Sequence, residues 1–322
     1  SGVTSFSQVP YPATFSPVTG STISMHCRWP YLHLPLFNVP AGPVAPLGPP
    51  AATQGAGPLG SPATPASLAQ LVAAVGGYKT MHILTDQGMS TTDATQAVLA
   101  AARGAAGMLA VCGALKDDMA ALGMPSDGIT VHYTGCDQTR FRPVDGTGLR
   151  ARLGIDGPVI ATLGALIERK RQDLVIEALA ALPGVTLLLI GKGEREAAYR
   201  ALPQAQGVAD RVHFVGAVPH DDLPEWLSAA DVLVSPSDSE GLANAWVEAL
   251  ACGTPVVVSE AGGARELVSS AVAGRVTAQE PGAIADTVRE LLADKPDRAA
   301  VRATVERFSW DRNGEELEGF FR

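Results

Sequence analysis

The sequence predicts an α/β protein whose best-formed part is a doubly wound, Rossmann-like parallel sheet. Three observations carry this. Short apolar runs alternate with amphipathic stretches from about residue 158 onward. The runs carry little polar alternation, as strands buried on both faces do. A glycine stands at the exit of each of the first five: Gly164, Gly191, Gly216, Gly241 and the pair Gly262–Gly263.

The elements read in order as follows. Residues 1–66 hold 13 of the 24 prolines, mixed with Gly, Ala and Ser, and show no period of 2 or 3.6. They are expected to be an atypical or disordered segment. From residue 67 the pattern becomes regular: a helix at 68–75, a strand at 80–85, a helix at 91–106, a strand at 108–111, a helix at 115–122 and a strand at 129–133. This reads as a partial Rossmann-like domain over 67–143. Strands are then expected at 159–163, 186–190, 212–215, 232–235 and 255–259, with a further short one beginning at Val276. Helices are expected at 172–182, 195–205, 223–229, 243–251, 264–269, 284–293 and 298–307. These make one domain over 144–308. Gly253 and Pro255 end the 243–251 helix and start the next strand, and Trp246 and Val247 face the core.

Composition limits the function classes. The net charge is -9 over 322 residues, which argues against a nucleic-acid partner. The cysteines Cys27, Cys112, Cys136 and Cys252 form no C-x-x-C pair, which suggests a reducing compartment and buried thiols. No apolar stretch is long enough to span a membrane, and no basic stretch followed by an apolar core suggests a signal peptide. The chain opens on Ser1 rather than Met, as a fragment would.

In an open parallel sheet, ligands bind beyond the carboxyl ends of the strands. Arg169, Lys170 and Arg171 cluster at one such exit, where three cations suit a diphosphate. Glu240 and Glu248 lie eight residues apart around a helix start, a span of up to about 12 Å. That is wide for a glycosidase pair, at roughly 5–9.5 Å, and suits two ends of one extended ligand. His132 and His213 read as structural, and His220 as a candidate near the ligand.

The segment 237–257, SDSEGLANAWVEALACGTPVV, resembles the E-x7-E signature of retaining GT-B glycosyltransferases of family GT4, glycosyltransferase group 1. The resemblance extends to 262–268, 164–170, 215–220, 110–116, 135–143 and 308–310, and so spans roughly 107–322. Its Glu-Gly-x-x-Asn flavour is similar to bacterial enzymes of surface polysaccharides. The resemblance implies a GT-B fold whose C-terminal domain binds the donor, with an incomplete N-terminal Rossmann-like domain on the acceptor side and a terminal helix, 309–322, that crosses back. It implies that Glu248 holds the ribose hydroxyls, that Glu240 faces the donor sugar, and that Lys170, helped by Arg169, contacts the diphosphate. Backbone at Ala217 and Val218 would hold the base. Gly164, Gly241, Leu242 and Ala243 would border the donor, and Gly191, Gly262 and Gly263 would give it room. His82 or Asp86 would supply the first domain's polar group near the reacting carbon. Glu266 would be a cap or a contact.

The implied activity is transfer of a sugar from a nucleotide-diphosphate sugar to a glycan or lipid-linked acceptor. No metal or other cofactor is expected, since no D-x-D occurs. The enzyme would work in the cytoplasm, with peripheral contact at the inner face of a membrane. The pattern departs from the family at Ala165, where Arg is usual, at Arg171, where Gly is usual, and in the absent opening strand and glycine-rich loop. These departures keep two alternatives open: an inactive nucleotide-sugar-binding remnant, and a nucleotide-sugar epimerase.

Overall fold

The computed structural model describes residues 91–321. The segment 1–66, the helix expected at 68–75, the strand expected at 80–85, and with them Cys27, His82 and Asp86, lie outside the described residues.

The described chain opens with a small parallel unit. Helix α1 (Thr91–Gly104) leads to β1 (Met108–Ala110), α2 (Gly113–Ala121) and β2 (Ile129–Val131). The two strands pair in register Met108↔Ile129. Val98, Ala102, Met108, Met119 and Ile129 form their shared core.

The main sheet follows. After α3 (Thr147–Leu153) come β3 (Val159–Leu163), α4 (Gln172–Ala178), β4 (Thr186–Ile190), α5 (Glu196–Ala205), β5 (Val212–Gly216), α6 (Leu223–Ala229), β6 (Val232–Ser235), α7 (Asn244–Ala251), β7 (Val256–Ser259), α8 (Ala264–Leu267) and β8 (Gly274–Thr277). Helices α9 (Pro281–Asp294), α10 (Arg298–Ala303) and α11 (Trp310–Phe321) close the chain. The six strands lie in the order β5-β4-β3-β6-β7-β8, and every pair is parallel. The chain winds outward from β3 to β5, returns to the middle, and winds outward again from β6. The direction reverses between β3 and β6, which opens a crevice at their carboxyl ends.

Alternate strand residues serve two cores, as the period of two demands. Val159, Ala161, Leu188, Leu233 and Val256 face α6, α7 and α10, together with Trp246 and Phe308. Ile160, Leu187, Leu189, Val232 and Val257 face α4, α5 and α9. Trp246 and Val247 are fully buried, and Gly253 follows α7 in the left-handed region, at φ 74°.

The structure departs from the sequence expectation at helix ends. Helix α3 was not expected: only Leu149 of its seven residues is buried, so it carries almost no periodic signal. The helix expected over 172–182 ends at Ala178 and continues as a 3-10 turn, Leu179–Ala181. The one expected over 298–307 ends at Ala303, and a 3-10 turn follows at Glu306–Phe308. There the Thr304 hydroxyl donates to the Val301 carbonyl at 2.6 Å, a local bond that competes with helix continuation, and Phe308 turns into the core. The last strand starts at Gly274, two residues before Val276.

Helix α11 returns to the small unit. Asn313 Nδ2 donates to the Tyr133 carbonyl at 2.6 Å, and His132 Nε2 lies 3.0 Å from the Asn313 carbonyl. Gly314 lies inside α11 with nothing within 4 Å of where a Cβ would sit. Gly314→Ala should therefore stabilise the protein by about 0.5–1 kcal/mol through helix propensity alone. Thermal unfolding should show a rise of about 2 °C; a fall would mean that α11 is not helical at that point. No described helix is long and apolar enough to cross a membrane.

Candidate active site at the β3–β6 crevice

Two loops meet at the crevice. After β3 the chain turns at Gly164 (φ 145°) and runs into a 3-10 turn, Glu168–Lys170. After β6 it passes through Ser237 and Glu240 into α7. The Asp238 amide donates to the Arg169 carbonyl at 2.8 Å, which fixes one loop to the other. This register brings Lys170 Nζ to 2.5 Å from Glu240 Oε1. The Arg169 guanidinium lies 3.4 Å from the same oxygen and donates to the Ser239 carbonyl. The Glu240 side chain is 9% exposed and that of Lys170 17%, so the pair is largely withdrawn from solvent and is screened less than a surface pair would be.

Arg171 does not join this cluster. It adopts the left-handed conformation (φ 50°), where glycine is favoured, and its side chain pairs with Asp173 and Asp238. It therefore does not replace the cation missing at Ala165. The Ala165 carbonyl accepts from Gln172 Nε2 at 2.9 Å.

Three glycines at the strand exits pack against protein on the side where a Cβ would stand. At Gly191 (φ 140°) a Cβ would lie closer than 3.0 Å to the Gly164 carbonyl. At Gly262 (φ 51°) it would meet the Glu240 and Gly241 carbonyls in the same way, and at Gly263 it would meet Cys112 and Leu242 side chains. The lack of a Cβ at these positions brings neighbouring strand exits together. The Gly263 amide also donates to the Gly241 carbonyl at 2.8 Å. Over Gly241 itself stands Val111, from the small unit. Leu242 is buried and Ala243 is the N-cap of α7, with no side-chain capping bond.

Glu248, on α7, accepts from His220 Nε2 at 3.0 Å. Cys136 and Cys252 lie close to its charge. Burial first, and then Glu248, pushes the Cys252 thiol up to about 12, and the Cys136 thiol is raised for the same reasons. Both stay protonated and unreactive. Among the described residues, Cys112, Cys136 and Cys252 are all buried and free.

Ala217 and Val218 lie beyond β5 and border a cavity of about 640 Å³ with Leu153, Val215, Asp222 and Trp226. His213 also borders it, while Lys170, Glu240 and Glu248 do not. The cavity therefore lies beside the polar cluster rather than in it.

Glu266 does not cap its own helix, whose N-cap is Gly263. Its carboxylate accepts from the Gly113 and Ala114 amides at 3.0 and 3.2 Å, and from the Tyr133 hydroxyl at 2.8 Å. It thus caps α2 from the main sheet, with the negative charge at the positive end of the helix dipole. Burial, and then this bond, raises the Tyr133 phenol above its usual range. Sequence reading missed Gln172 and Arg140 as site neighbours. Gln172 alone carried a signal, because it directly follows the cation cluster. Among the described residues, no three His, Cys, Asp or Glu side chains gather as a metal-binding group.

Residues 149–307 match the family model described as Glycosyl transferases group 1. A GDP-mannose-dependent monoacylated alpha-(1-6)-phosphatidylinositol monomannoside mannosyltransferase of Corynebacterium glutamicum is 37% identical over 205 residues, 57% of this chain and 53% of that protein. A D-inositol 3-phosphate glycosyltransferase of Xylanimonas cellulosilytica is 38% identical over 207 residues, 59% of this chain and 50% of that one. The chain thus spans about half the length of the curated relatives it matches. Among solved structures, Anabaena HepE in complex with UDP and glucose is similar at a TM-score of 0.66 and 27% identity, over 74% of this chain and 69% of that chain. Sucrose-phosphate synthase of Thermosynechococcus elongatus is similar at 0.66 and 26%, over 78% and 66%. Over residues 149–307 this chain is thus similar to the glycosyl transferases group 1 family, and its fold is that of the GT-B glycosyltransferases.

Proposed function

We propose that the protein is a retaining glycosyltransferase that moves a sugar from a nucleotide-diphosphate sugar to a glycan or lipid-linked acceptor. In this reading residues 144–308 hold the donor and residues 67–143 contribute to the acceptor side. The observation that carries it is the Lys170–Arg169–Glu240 cluster at the point where the sheet reverses direction. A carboxylate for sugar hydroxyls and two cations for a diphosphate stand within one ligand's length of each other. The start of α7 adds to this. Its N-cap, Ala243, offers no side-chain bond to the first amides, which suits an anion there.

The roles follow from the chemistry. Glu240 accepts from the donor sugar, Glu248 holds the ribose hydroxyls, and backbone at Ala217 and Val218 holds the base. As the glycosidic bond breaks, the sugar takes on oxocarbenium character and charge builds on the departing phosphate. Lys170 stabilises that charge, with Arg169 beside it, so that no metal is needed. The departing phosphate stays next to the attacking hydroxyl, and the product retains its anomeric configuration. Relatives named for GDP-mannose and for phosphatidylinositol mannoside support a nucleotide-sugar donor and a lipid-linked acceptor.

Calorimetric titration with UDP, GDP and ADP tests the reading. One nucleotide should bind at micromolar affinity, with or without a chelator, and Glu248→Ala should weaken it at least about tenfold. Absence of binding by all three would overturn the proposal.

A further inference from the structure

We propose that His220 is a positioning residue for Glu248, held by Arg140 in the tautomer that this requires, and that it thereby sets the preference for ribose over deoxyribose. The inference rests on the reading of Glu248 as the ribose-binding carboxylate.

The ring is engaged at both nitrogens. Nε2 lies 3.0 Å from Glu248 Oε1, and Nδ1 lies 3.1 Å from Arg140 Nη1. A guanidinium can only donate, so Nδ1 accepts. The neutral ring then carries its hydrogen on Nε2 and donates it to Glu248. Arg140 is itself held, by Asp221 at 3.3 Å and Asp137 at 3.8 Å. Phe141 packs against the imidazole with ring centroids 4.9 Å apart and planes at 68°. The Glu248 side chain is 14% exposed and that of His220 24%, so the bond is shielded but within reach of a ligand.

A glutamate side chain on a helix is free to sample several rotamers, and ordering it on binding costs affinity. His220 removes that cost by holding Oε1. It uses one of about four acceptor positions on the carboxylate and leaves the others for sugar hydroxyls. A hydroxyl pair is recognised only while the carboxylate keeps its orientation. The imidazole thus controls ribose recognition without touching the ribose. Arg140 and Phe141 lie in the segment that joins β2 to α3, so the course of that segment fixes the nucleotide site.

The test compares each nucleoside diphosphate that binds, among UDP, GDP and ADP, with its 2′-deoxy form by calorimetry. His220→Phe should weaken the ribonucleotide about tenfold and leave the deoxynucleotide nearly unchanged, so that their ratio collapses. His220→Gln, whose amide both donates and accepts, should restore most of the ratio. Arg140→Met should lower it partway, and serves as the test if the phenylalanine variant does not fold. A His220→Phe ratio equal to wild type, or an equal loss for both nucleotides, would show that the ring only packs and would overturn the proposal. An unchanged ratio in Glu248→Gln would instead overturn the ribose role of Glu248 itself.

Discussion

Replacing Lys170 by alanine is expected to lower turnover of the donor about a thousandfold, measured as release of nucleoside diphosphate from the nucleotide sugar whose base the titration identifies. Removing one preorganised charge or donor from a site where negative charge develops costs about 10²–10³ in rate. Lys170 should lie at the upper end, because it is the better-buried of the two cations at the crevice: its side chain is 17% exposed against 40% for Arg169. Arg169 remains to hold the ground-state diphosphate, so affinity for the free nucleotide should fall only about tenfold. The substitution also leaves the 9%-exposed Glu240 carboxylate with Arg169 alone. Unfolding should therefore come earlier, by about 1–3 kcal/mol. The double variant Lys170→Ala, Glu240→Gln separates the two effects. Stability should recover, since no charge is left poorly paired, and turnover should not. Wild-type turnover in Lys170→Ala would remove the lysine from the chemistry and leave it only as a partner of Glu240.

What the sequence shows and what it hides follow the same physical line. Strands β3, β4 and β6 were legible to the residue, because runs such as Thr186–Ile190 are buried on both faces and contain little else. The position of Lys170 and Glu240 at strand exits followed from that pattern, and so did the buried face of α7 at Trp246 and Val247. Helix α3 was not legible, because one buried leucine has no period. The direction of Arg171 depends on a left-handed backbone that only the fold reveals. The link from Arg140 through His220 to Glu248 joins residues 80 and 28 positions apart, and no local pattern encodes such a link. The same holds for Glu266, whose partners at Gly113 and Ala114 lie 153 and 152 positions away.

Gly262→Ala is expected to cost about a hundredfold in donor turnover while the protein still folds. At φ 51° an alanine is strained by only about 1–2 kcal/mol. The larger effect is steric. The new methyl would lie closer than 3.0 Å to the Glu240 and Gly241 carbonyl oxygens, which are backbone and cannot rotate away. The loop that carries Glu240 must move, and the bond from the Gly263 amide to the Gly241 carbonyl must stretch with it. A displacement of about 1 Å at a reacting centre is enough to cost about 10² in rate. Gly282→Ala is the control: it lies in α9 with nothing within 4 Å of the new methyl, and turnover should stay at wild type. The two glycines are alike in composition and differ only in what surrounds the missing Cβ. A Gly262→Ala variant that turns over like wild type would show that the Glu240 loop finds its working position without this packing, and that the ion pair to Lys170 alone is enough to place it.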